Sequence, residues 1–140
     1  MLDMPVESKY DIVWMEQAFH HLEPRTQVIE KLEQLVKPGG VVLFSETNAY
    51  NLLIQLKLLK HRGFKTVVEY GKQTWGNERI ITANNLKKLC MHAGWKVEGC
   101  SFYRTMPNRK WADKFLKYDK NLPQFLKPVF THYNLTARKP

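Results

Sequence analysis

The stretch from Tyr10 to Ser45 constrains the fold more than any other part of the chain. Tyr10-Asp11-Ile12-Val13-Trp14-Met15 is a short apolar run, long enough for a strand and too short for a helix. It breaks into Glu16-Gln17-Ala18-Phe19-His20-His21, a corner of polar and ionisable side chains. Glu23-Pro24-Arg25 then opens a helix, with Pro24 where a missing N–H costs least. Val28, Ile29, Leu32, Leu35 and Val36 give that helix an apolar stripe at helical spacing. Lys37-Pro38-Gly39-Gly40 stops it, and Val41-Val42-Leu43-Phe44-Ser45 predicts a second buried strand, followed by Glu46. Two near-continuous apolar strands around one helix predict a βαβ unit in a parallel sheet covered on both faces. Ligands of such sheets sit at the carboxyl ends of the strands, where the Glu16–His21 corner and Glu46 fall.

Beyond Glu46, the polar loop to Asn51 offers Asn48 or Asn51 as a helix cap. Leu52 to Lys60 predicts a short helix so apolar that burial is its plainest explanation, ahead of a substrate pocket or a membrane surface. His61-Arg62-Gly63 ends it. Residues 64–81 read as a strand or extended insertion followed by a loop, and loops of that length are commonly functional. Thr82 caps a helix whose apolar face is Leu86, Leu89, Cys90 and Ala93, and Gly94 terminates it. Trp95 to Tyr103 alternates like a half-exposed strand. Pro107 to Pro128 predicts a helix with Trp111, Phe115, Tyr118 and Leu122 on one stripe, and Val129 to Ala137 a final antiparallel strand.

The ordered set Tyr-Asp-Ile-Val, His20-His21-Leu22-Glu23, helix, Leu35-Val36-Lys37-Pro38-Gly39-Gly40, apolar strand resembles the middle of a class I S-adenosylmethionine-dependent methyltransferase. The Ala93-Gly94-Trp95 turn before a strand resembles the same family further on. The resemblance implies an α/β, partial Rossmann-like methyltransferase sheet with strands in the order 4-5-7-6 and flanking helices, as one partial domain over residues 1–140. It implies a carboxyl-terminal half only, lacking the amino-terminal cofactor-binding strands. The glycines, Gly39, Gly40, Gly63, Gly71, Gly76, Gly94 and Gly99, contain no G-x-G pattern of the kind that lets backbone approach a cofactor. The isolated chain is therefore expected to be inactive. Its first strand, normally paired with one from the other half, is expected to be an open apolar edge that takes that half or self-associates.

The family's cofactor is S-adenosylmethionine. By resemblance, Met15, Glu16, Gln17 and His20 are expected to touch it, and Glu16 and His21 to be the catalytic candidates, as sulfonium counter-charge or base. A surface carboxylate in the next helix's dipole field is an equally good account of Glu16. Glu46, Asn48 and Asn51 are expected to face the acceptor, unless they are cap and turn residues. Tyr70 and Trp75 are weaker substrate contacts, within a probable substrate-side insertion or lid over residues 46–81. Adjacent histidines diverge and no ligand set completes them, so no metal is expected.

Composition narrows the alternatives. At 140 residues and 44% apolar, the chain suits one globular domain or a large part of one. No signal peptide and no membrane-spanning run is visible, and Cys90 and Cys100 read as buried thiols of a reducing compartment, so a cytoplasmic protein is expected. Asn134-Leu135-Thr136 is a chance sequon on that reading. Residues 1–50 carry a balance of −4 and residues 51–140 one of +13. Such a basic half can serve an anionic partner, but it contains no nucleic-acid motif. The leading expectation is a methyltransferase fragment acting on a small-molecule or lipid-like acceptor, and the alternative is a non-catalytic binding module with a basic surface. Peripheral membrane contact through Lys110–Lys127 is the weaker account of that stripe, packing on the sheet the stronger.

Overall fold

The computed structural model describes residues 9–62, 80–106, 110–119 and 121–140. Its strands are β1 (Tyr10–Glu16), β2 (Val36–Thr47), β3 (Lys96–Tyr103) and β4 (His132–Arg138). Its helices are α1 (Arg25–Leu35), α2 (Leu52–Arg62), α3 (Ala83–His92) and the single turn α4 (Leu116–Asp119). The sheet runs β1-β2-β4-β3, with β1 and β2 parallel and β4 antiparallel to both β2 and β3. This is the expected 4-5-7-6 order. Residues 63–79 lie outside the described residues, and with them Tyr70, Trp75 and about half of the expected insertion.

The start and stop signals act where local chemistry demands them. The Thr82 hydroxyl accepts from the Asn85 N–H at 3.1 Å and caps α3. Gly94, at φ +78°, ends that helix in the left-handed region. The Pro-Gly-Gly segment departs from its expected role. It lies within the extended β2, where the register with β1 jumps from Tyr10↔Val36 to Ile12↔Val41. Gly40 is pressed so close to the chain that a Cβ there would meet Val36 Cγ1 at 2.7 Å and Lys37 O at 2.9 Å. The segment is a bulge in a strand, not a turn before one.

Alternation along the strands sorts side chains to two unlike faces. Val13 and Met15 of β1, Val42 and Phe44 of β2, and Tyr133, Leu135 and Ala137 of β4 face α1 and α3 and join one core. Val28, Ile29 and Leu32 of α1 and Leu86 and Cys90 of α3 close it from the helix side. The Trp95 indole adds a bond from Nε1 to Glu33 at 2.6 Å. On the other face Ile12 and Trp14 are 63% and 67% exposed, and Leu43 is exposed beside them. The expectation of strands buried on both faces is thus corrected: one face is packed, and the other carries apolar side chains open to solvent.

Two helical expectations also change. α2 forms, but Leu52, Leu53, Leu56 and Leu59 point outward instead of being buried. The long helix expected over Pro107–Pro128 is broken into a 3-10 turn at Lys110–Phe115, α4 and a 3-10 turn at Lys127–Val129. Pro123 and Pro128, which lack an N–H to donate, fall where the regular hydrogen bonding fails. The proposed stripe is therefore only partly packed: Trp111 and Tyr118 are exposed, and Phe115 and Leu122 are half-buried.

Candidate functional site

The carboxyl ends of β1, β2 and β3 stand level, because Glu16 pairs with Ser45, Thr47 with His132, and Tyr103 with His132. β1 ends at Glu16, and Gln17 turns the chain with a φ of +48°. Its N–H donates to Ser45 O at 2.8 Å, and its side chain accepts from the Thr47 hydroxyl at 2.7 Å. Phe19–His21 then form a 3-10 turn, anchored by Phe19, whose ring meets Phe44 edge-on at 5.3 Å.

The turn is fixed by a carboxylate from the neighbouring strand. Glu46 is fully buried. Its Oε1 accepts from the Phe19 N–H at 2.8 Å, and its Oε2 lies 2.6 Å from His20 Nδ1. His20 is buried, and His21 lies against it with ring centroids 4.1 Å apart. A buried carboxylate must find such partners or lose several kcal/mol, on the order of 3–5 when a buried pair is broken. Behind the turn, the His132 ring stacks on Tyr103 at 5.5 Å. Burial pushes the His132 imidazole below its ordinary value, and the Arg104 charge adds to this.

The sequence-predicted residues therefore divide. Glu16, Gln17, His20 and His21 do come together at one end of the sheet. Glu16 is exposed on the open face and has no partner among the described residues. Met15 cannot reach a ligand with its side chain, because strand alternation turns it into the core. Glu46, Asn48 and Asn51, expected to face an acceptor, are instead buried and engaged. Asn48 Nδ2 donates to Lys127 O and Phe130 O, both at 2.8 Å. Asn51 Nδ2 donates to Pro128 O and Val129 O, while its Oδ1 caps α2 through the Ile54 N–H. Both asparagines tie the carboxyl-terminal loop to this end of the sheet. Period-two spacing already places Glu46 with Val42 and Phe44, the signal that could have marked it as inward-facing.

One feature was missed by sequence reasoning. On the open face, Trp14, Glu16, Leu43, Ser45, Ser101, Tyr103, Asn134 and Thr136 line a shallow cleft of about 520 Å³. The Ser45 hydroxyl and the Tyr103 phenol lie 2.8 Å apart within it. These residues come from all four strands, so no local pattern announces them. The cleft brings hydroxyls and one carboxylate up to the Glu16 corner. The exposed Glu16 carboxylate is the group here that fits a cationic ligand such as a sulfonium. Among the described residues no cluster could hold a metal ion.

Comparison with known proteins follows this geometry. A family model described as a methyltransferase domain matches residues 4–99, well over half of the chain. Among solved structures, the chain is similar to a SAM-dependent methyltransferase from Archaeoglobus fulgidus, at 13% identity and a TM-score of 0.57, covering 94% of this chain and 60% of that one. It is similar to another from Methanosarcina mazei, at 13% identity and a TM-score of 0.60, covering 94% and 59%. It is also similar to the N-methyltransferase NodS from Bradyrhizobium japonicum, at 11% identity and a TM-score of 0.53, covering 99% and 56%. The chain thus spans about 60% of the length of the A. fulgidus and M. mazei structures it matches. No curated protein matches it. The family model covers residues 4–99 and the fold agrees with it, and the chain belongs to the methyltransferase domain family.

Proposed function

We propose that the chain serves methyl transfer from S-adenosylmethionine to a small-molecule or lipid-like acceptor, contributing the acceptor side of a fuller fold. When bound, S-adenosylmethionine supplies an electrophilic methyl group on a cationic sulfur. Glu16 balances that charge or takes the acceptor's proton, from an exposed position at the end of β1. His21, exposed and lying against His20, is the second candidate base. Gln17 and His20 hold the corner's shape through Thr47 and Glu46, so their part is positioning. The observation that carries the reading is the Glu16 carboxylate, unpartnered among the described residues, beside a turn locked by a buried one.

On this proposal the chain works in the cytoplasm, and its isolated form is a weak binder with little activity. Among the described residues no helix is long and apolar enough to cross a membrane. The open edge of β1 takes a further strand, from the rest of such a fold or from a second copy. The test is a titration with S-adenosylhomocysteine followed by amide chemical shifts. Shifts at Glu16, Gln17 and Phe19 that weaken in Glu16→Gln support the reading. No shift at the corner at millimolar ligand removes it. A non-catalytic module would then stand, drawing on the +13 balance of residues 51–140 for an anionic partner.

A further inference from the structure

α2 leaves four of its leucines exposed, where a packed helix would bury them. Leu52, Leu53 and Leu56 are 62%, 62% and 60% exposed, and Leu59 is exposed too. At about 100° per residue these four span an arc of roughly 120°, with Lys60 inside it and Lys57 about 40° beyond it. Ile54, on the opposite side, and Gln55, on the flank, are half-buried, and the Gln55 amide reaches Ala49 O. The helix therefore turns Ile54 and Gln55 inward and offers Leu52, Leu53, Leu56 and Leu59 to the outside. An isolated exposed leucine needs no explanation, but a whole helical face of them marks an interaction surface.

A second exposed group adjoins the first. The Asn51 carboxamide fastens the start of α2 to Pro128 and Val129. In the same loop, Phe125 is 76% exposed and Val129 is exposed as well. Trp111 and Tyr118 are also exposed, on the segment that Arg104–Asp113 and Thr105–Asp119 bonds hold at this same end of the sheet. Aromatic side chains with a polar handle suit the boundary between hydrocarbon and water.

Charge decides which partner this surface fits. Residues 51–62 contain no acidic group, and residues 104–131 contain two, Asp113 and Asp119. Asp113 is paired with Arg104 at 2.7 Å. Asp119 is buried and accepts from the Thr105 N–H and hydroxyl. Lys57, Lys60, Lys110, Lys114 and Lys117 are thus left as exposed cations with no carboxylate bound to them among the described residues. Lys114 and Lys117 lie over the rings of Phe115 and Tyr118, at 5.3 Å and 4.9 Å from the centroids. Exposed leucines and aromatics flanked by uncompensated lysines match an anionic bilayer, which offers phosphate charge above hydrocarbon.

We propose that α2 and the 110–129 segment dock on an anionic lipid bilayer, bringing the carboxyl end of the sheet to the membrane surface. This deepens the acceptor assigned above to a lipid-like one taken from the bilayer, and for that acceptor it rests on the methyl-transfer reading. The chain is mixed with vesicles of phosphatidylcholine alone and of equal parts phosphatidylcholine and phosphatidylglycerol, at low salt, and co-sedimentation is measured. Binding is expected to the anionic vesicles and not to the neutral ones. Lys57→Gln, Lys114→Gln and Lys117→Gln together reduce partitioning on the order of a hundredfold, at roughly fivefold per lysine. Leu53→Glu with Leu56→Glu abolishes it while leaving the thermal midpoint unchanged, since both side chains are exposed. No binding to anionic vesicles, or binding unaffected by either set, overturns the proposal. So does a wild-type dimer that ignores vesicles and dissociates on Leu53→Glu with Leu56→Glu, which assigns the leucines to a second copy. The assay contains no methyl donor, so its failure leaves methyl transfer standing. Vesicle binding without donor-induced shifts at the corner would leave docking and remove the reaction.

Discussion

Replacing Glu46 tests whether the corner after β1 is held from β2. Both carboxylate oxygens are occupied in a buried setting, one by the Phe19 N–H and one by His20. Glu46→Ala leaves the Phe19 N–H unsatisfied, at about 1–3 kcal/mol, and strands His20 without its partner. Together these match the ~3–5 kcal/mol measured when one member of a buried pair is removed. For a domain of this size that is a fall of roughly 10–15 °C in Tm. Glu46→Gln keeps an acceptor for Phe19 and turns an amide N–H toward His20 Nδ1. A neutral imidazole protonated at Nε2 can accept it, so the loss falls to about 1 kcal/mol. Urea unfolding followed by circular dichroism gives each value, and the cycle with His20→Ala isolates the coupling, expected at ~1–3 kcal/mol. An alanine variant within about 1 kcal/mol of wild type, or a coupling near zero, would refute the claim that Glu46 holds the corner.

Other consequences follow from the same contacts. The His132 imidazole is held below its ordinary value in the folded chain, chiefly by burial. The unfolded chain therefore binds more protons there as pH falls through about 6.5, and stability present above that pH is lost below it. Denaturant midpoints at pH 8 and pH 5 should differ less in His132→Gln than in wild type, and an equal difference excludes His132 as the source. Asn51→Ala removes the α2 cap, about 1 kcal/mol, and two bonds to loop carbonyls, about 1–2 more. Faster hydrogen exchange of the α2 amides should accompany it, and unchanged protection would show that the helix is held elsewhere. The open β1 edge predicts association that grows with concentration in sedimentation equilibrium and weakens in Trp14→Lys. A monomer at all concentrations speaks against it.

Much of the architecture was legible because it rests on local signals. Thr82 and Gly94 bound α3, the spacing of Val28, Ile29 and Leu32 faces α1 to the core, and the apolar runs at Tyr10 and Val41 supply the parallel strands. These are consequences of hydrogen-bond capping and side-chain periodicity, which act over a few residues. The Glu16–His21 corner was legible for the same reason: it begins where the first apolar run stops. Pro-Gly-Gly was read as a stop because those residues usually punctuate, whereas close packing of Gly40 against Val36 and Asp11 makes the segment a bulge inside β2.

The tertiary structure decided which way the groups point and what they meet. Glu16 ends β1 and Glu46 stands one residue before the end of β2, yet one is exposed and unpartnered among the described residues and the other is buried on His20 and Phe19. Asn48 and Asn51 look like loop residues until they bind carbonyls some 80 positions further on, as Asn48 does with Phe130 at a separation of 82. Leu52, Leu53, Leu56 and Leu59 of α2 were expected inside and lie outside, because apolar composition sets a preference for burial but not the presence of a surface to bury against. The sequence alone determined the four strands, α1, α2 and α3, their order and the family, since these depend on short-range pattern. Burial, pairing and the composition of the cleft depend on residues far apart in the chain, and only the packed sheet brings them within contact distance.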